Sequence, residues 1–86
     1  MSARLERQRR EFIERALHKG WVVAPKSLVT LWFEQQKFSK GIVAQIRELS
    51  ANEEEFGGYA SNVRVFETLL GEILVVRDPG NAEWKP

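Results

Sequence analysis

Eighty-six residues, 43% of them apolar and 29% charged, are enough for one packed core, too few for two, and too apolar for a disordered chain. With no cysteine the chain excludes disulfides, zinc–thiolate sites and thiol nucleophiles, a composition suited to a reducing cytoplasm, and its single histidine leaves acid–base and metal chemistry without a converging set of groups. The net charge of +1 hides a gradient, because residues 1–50 carry +5 and residues 51–86 carry −4, which permits a phosphate-facing surface in the first half.

From Ser2 to Lys19 the apolar residues Leu5, Phe12, Ile13, Ala16 and Leu17 recur on one helical face, no proline intervenes and Gly20 offers a stop, so a first helix is predicted. Glu6 with Arg10 and Glu11 with Arg15 are four apart in the favourable order and give two arginines local partners. Arg9 falls in the middle of the apolar arc. Its stem is expected to pack on the core while its guanidinium reaches a rim carboxylate, or else it is held for a phosphate or a partner's carboxylate. The charged start MSARLERQRR leads into no apolar run, and no stretch approaches the roughly 18 apolar residues of a membrane span, so neither a secretory signal nor a span is expected.

Residues 21–24, Trp-Val-Val-Ala, form a short β-prone stretch before Pro25. Ser27 is an N-cap candidate for a second helix over 28–36, whose Leu28, Leu31, Trp32 and Phe33 are too apolar to leave in water. Lys37 and Phe38 break the pattern. After a tight turn Ser39 caps a third helix, in which Ile42, Val43, Ile46 and Leu49 mark the buried side up to Ser50 or Glu54, while Lys40, Gly41, Ala44, Arg47, Glu48 and Ala51 face outward. Residues 53–59, EEEFGGY, set acidic side chains at a helix C-terminus and then free the backbone at Gly57-Gly58, so a loop is expected.

Beyond it, VRVFETLLGEILVVRD allows a hairpin of 63–68 with 72–77, or a helix over 62–70 followed by one strand; residues 73–76 are a strand in both. Asp78-Pro79-Gly80-Asn81 reads as a turn. The predicted architecture is α+β, mainly α, with three helices and a small two- or three-stranded antiparallel sheet: a single globular domain over residues 1–79 and a C-terminal tail over 80–86.

This order of elements, together with the 22-residue stretch LVTLWFEQQKFSKGIVAQIREL over 28–49, resembles the winged helix-turn-helix superfamily, with Trp32 and Gln36 standing where a small residue and a glycine are customary. The resemblance implies a winged-helix-like fold whose third helix enters the DNA major groove, braced by the second, and whose closing hairpin pairs with the strand after helix 1. It also implies roles in DNA binding and transcription regulation: Lys37, Ser39 and Lys40 would meet phosphates, and Ala44, Gln45 and Arg47 would face base edges. A twofold homodimer would double so small a set of cations.

The competing expectation, from a different class, is a small protein-binding adaptor or inhibitor of phage or plasmid type. It would dock on a host protein through its aromatic C-terminal half, with Leu69, Leu70, Tyr59 and Trp84 as the contact residues. Neither expectation involves catalysis, a cofactor or a metal. Glu53 to Glu55 lack the spacing of a calcium loop, and Gly57-Gly58 is followed by no Lys-Ser or Lys-Thr of a phosphate loop. His18, in the last turn of the first helix, is expected to favour the helix dipole.

Overall fold

A computed structural model describes residues 2–78. The turn expected at 78–81 continues outside the described residues, as do the tail over 80–86 and Trp84 within it.

Helix α1 (Ala3–Lys19) starts where the Ser2 hydroxyl accepts the Leu5 N–H at 3.4 Å. It ends at Gly20, whose φ of +102° is left-handed and whose N–H donates to the Ala16 carbonyl at 2.9 Å. That reversal sends the chain straight into strand β1 (Trp21–Pro25), and the Gly20 carbonyl accepts the Arg77 N–H at 2.8 Å. Phe12, Ile13, Ala16 and Leu17 are buried, the side of α1 that the periodicity predicts.

The sequence left residues 62–71 open between helix and strand, and a hairpin forms: β2 (Val63–Glu67) and β3 (Glu72–Arg77). The turn chemistry comes from Thr68. Its hydroxyl accepts the N–H groups of Leu70 and Glu72, each at 3.2 Å, its own N–H donates to the Glu72 carbonyl at 2.8 Å, and Gly71 takes a φ of +75°. The sheet is antiparallel throughout in the order β1-β3-β2, so β3 is bonded on both sides. Trp21 lies opposite Val76 and Ala24 opposite Ile73, the expected pairing of the first strand with residues 73–76. Ile73 and Val75 point inward and are fully buried, with Ala24 and Val63 buried beside them, against α1 and the third helix.

Helix α2 (Lys26–Trp32) is shorter than the span predicted and begins before it. Pro25 occupies the cap position instead of Ser27, because the Lys26 N–H is already taken by the Gly71 carbonyl of the hairpin turn at 3.0 Å. The helix stops at Phe33, and Glu34 follows with a left-handed φ of +54°. The connection to α3 (Lys40–Ser50) therefore runs over residues 33–39 rather than through a tight turn, with Phe33 buried and Phe38 packed on the core's edge.

Helix α4 (Glu53–Phe56) replaces the expected loop. The Asn52 side chain accepts the N–H groups of Glu54 and Glu55 at 2.9 and 3.3 Å, so the acidic run sits at a helix N-terminus, where the dipole favours it. A 3-10 turn (Gly57–Tyr59) leads on to β2. The core formed by α1, α2, α3 and the inner sheet face holds Phe12, Ile13, Leu17, Ile42, Ile46 and Ile73 at its centre. Ser50 is its buried polar member, and its hydroxyl donates to the Ile46 carbonyl at 2.7 Å.

Candidate nucleic-acid interface

Helix α3 is oriented by its apolar stripe. Ile42 and Ile46 are fully buried and Leu49 packs beside them, which turns Lys40, Ala44 and Arg47 outward on the opposite side. Ser39 precedes the helix in extended conformation, and its carbonyl accepts the N–H groups of Ile42 and Val43 at 3.1 and 3.3 Å. Its half-buried hydroxyl makes no capping bond, contrary to the expected side-chain cap. Lys37 is exposed on the connection just before it.

All six residues predicted for a nucleic-acid contact thus lie on α3 and its approach: Lys37, Lys40, Ala44 and Arg47 are exposed, Ser39 is half-buried, and Gln45 is half-buried at the margin of the face. Among the described residues, the amino groups of Lys37 and Lys40 and the guanidinium of Arg47 make no hydrogen bond or ion pair. Glu48 sits exposed on one flank of the face and adds the opposing charge.

Several other cations are committed inside the molecule. Arg9 donates from Nε and Nη2 to the Trp32 carbonyl at 3.0 and 2.9 Å, lies 5.0 Å from the Phe33 ring centre, and approaches Glu34 at 3.9 Å. That is the core-packed arginine reaching a rim carboxylate, with its guanidinium turned toward Trp32, Phe33 and Glu34. Arg10 pairs with Glu55 at 2.7 Å and stacks on Phe56, so Glu6 does not hold it as the helix spacing had suggested. Among the described residues the four-apart pair on α1 is instead Glu14 with His18, at 3.9 Å.

The residues predicted for a protein interface separate into two places. Leu69 and Leu70 form the hairpin tip and are almost wholly exposed, at 106% and 85%. Tyr59 is half-exposed and stacks on His18, with ring centres 4.0 Å apart, at the opposite end of the sheet near Gly20.

The chain matches no protein-family model, no curated protein and no solved structure. Its own geometry is the guide to its function.

Two surfaces escaped the sequence reading. An open groove of about 490 Å³ runs between α1 and α4, floored by Ile13, Leu49 and Phe56 and rimmed by Arg7 and Arg10; it depends on a tertiary contact that no local pattern encodes. The second is the outward face of the sheet, where Trp21, Val23 and Phe66 are exposed. Its signal was present in the unbroken apolar run Ile73-Leu74-Val75-Val76, which promises a strand apolar on both faces. Among the described residues no cluster of His, Asp and Glu is placed to hold a metal ion, and no helix is long and apolar enough to cross a membrane.

Proposed function

We propose that this chain is a small, non-enzymatic, winged-helix-type regulator that works in the cytoplasm and binds duplex DNA through α3. The observation that carries the proposal is the outward face of α3, where Lys40, Ala44 and Arg47 project together with Lys37 beside them and no partner among the described residues claims their charges. It is supported by the path α1-β1-α2-α3-α4-β2-β3, in which the short α4 and a 3-10 turn are added between α3 and the hairpin, and by the sheet order β1-β3-β2, in which the closing hairpin pairs with the strand after the first helix as in winged-helix domains. Lys37, Ser39 and Lys40 take the phosphate contacts. Ala44 leaves room for a base edge, and Arg47 supplies the fork that reads guanine. Gln45 joins from the margin.

A second reading rests on the hairpin tip. Leu69 and Leu70 are apolar and project into solvent, which suits docking on a protein and not on phosphate. Under that reading the chain is an adaptor or inhibitor of a host protein.

A titration of random and genomic duplex DNA by fluorescence anisotropy separates the two. The DNA reading expects binding at low salt that Lys40→Ala with Arg47→Ala removes and Leu69→Ser with Leu70→Ser leaves intact. Absence of binding at low salt, or binding indifferent to Lys40 and Arg47, defeats it.

A further inference from the structure

The sheet has an apolar face on each side. The inner one is filled by α1 and α3. The outer one is organised in rows across the strands: Trp21, Val76 and Arg64 in the first, Val23, Leu74 and Phe66 in the second, and Pro25 with Glu72 in the third, next to the hairpin turn. Trp21, Val23 and Phe66 are 45%, 39% and 48% exposed, an apolar surface that a monomer seldom leaves in water without use.

Charge is laid out along the same direction. The first row is basic, with Arg64 in it and the Lys19 ammonium 4.7 Å from the Trp21 ring centre, while the third row is acidic through Glu72. Neither Arg64 nor Glu72 forms an ion pair among the described residues.

We propose that this face is a homodimer contact, covered by the same face of a second copy. The twofold axis lies across the strands through the Val23–Leu74–Phe66 row. Two sheets stack about 10 Å apart with their strands within about 30° of one another. About this axis Val23, Leu74 and Phe66 each meet their own counterparts, and the basic row of each copy lies over the acidic row of the other, which brings Arg64 toward the second copy's Glu72. A twofold along β3 would instead set Glu72 against Glu72. The charge layout therefore selects the crosswise axis and selects a second copy as the occupant. The proposal stands independently of what α3 binds.

Sedimentation of the full chain from micromolar to millimolar concentration tests it. A dimer is expected, which Val23→Asp converts to a monomer with unchanged far-ultraviolet circular dichroism. Arg64→Glu and Glu72→Arg should each weaken dimerisation about tenfold, and the double exchange should restore it. Within one chain the two rows are four residues apart along the strand, roughly 13 Å, too far for a direct ion pair. Rescue by the double exchange therefore reports a contact between copies. A chain that stays monomeric overturns the proposal, and if removal of residues 79–86 then produces a dimer, the occupant is the chain's own C-terminal segment. A dimer that ignores Val23→Asp and the Arg64/Glu72 exchange, or that is lost with Leu69→Ser and Leu70→Ser, overturns it as well.

Discussion

Arg9 does the work of a C-cap from another helix. Helix α2 is only seven residues long and ends at Trp32, whose carbonyl takes no backbone N–H among the described residues. Two N–H groups of Arg9 converge on that oxygen from α1, and the positive charge lies at the negative end of the helix. With the Arg9 side chain only 15% exposed, removal leaves a partly buried carbonyl unsatisfied. Arg9→Met should lower the unfolding free energy by about 1–3 kcal/mol in urea titrations. Arg9→Lys should recover only part of the loss, because one ammonium cannot bond that oxygen twice while lying over the Phe33 ring. Equal stability of Arg9→Met and the parent would show that the α1–α2 contact is held by apolar packing alone.

At the scale of elements, the hairpin decides the architecture, and one hydroxyl decides the hairpin. Leu-Leu-Gly-Glu offers little turn chemistry, but Thr68 just before it accepts two N–H groups that would otherwise lack partners. Thr68→Val keeps the β-branched shape and removes the acceptor, so it should cost about 1 kcal/mol of stability and speed amide exchange at Leu70 and Glu72 before the rest of the sheet. Unchanged exchange at those two amides would place the turn's stability in Gly71 and the Lys26–Gly71 bond instead. The tie between the Lys26 N–H and the Gly71 carbonyl also explains why α2 starts where it does: the helix grows from the hairpin turn.

For the whole molecule, the charge gradient of the sequence is partly cancelled by the fold. Arg10 from the basic half pairs with Glu55 from the acidic half, and Lys26 pairs with Glu67 at 3.2 Å. What remains around α3 is Lys37, Lys40 and Arg47. With Lys37 and Lys40 as the charged phosphate contacts of one copy and Arg47 on a base edge, the logarithm of DNA affinity should fall with the logarithm of salt at a slope of about −2, and Lys40→Ala should reduce that slope by about 1. A slope much steeper than this per copy would mean that arginines of α1 also reach the DNA.

The α1 stripe and the outward side of α3 were legible in the sequence because each follows from a local period of apolar residues, and the strands at 21–24 and 73–76 from their β-prone runs, whereas the pairing of those two strands was only what the resemblance to winged-helix domains implied. The cap at Asn52 is legible too, since an asparagine followed by three glutamates is a helix start, although the same acidic run also reads as the end of α3. Other features depended on tertiary contacts. The end of α2 rests on an arginine twenty-three positions earlier, the start of α2 on a glycine in the hairpin, and the partner of Arg10 on a residue forty-five positions away. The sequence by itself determined which residues are apolar and with what period, and so which faces of α1 and α3 turn inward. Only the tertiary structure decided which polar groups satisfy one another, because hydrogen bonds and ion pairs depend on distances between segments that the local period does not specify.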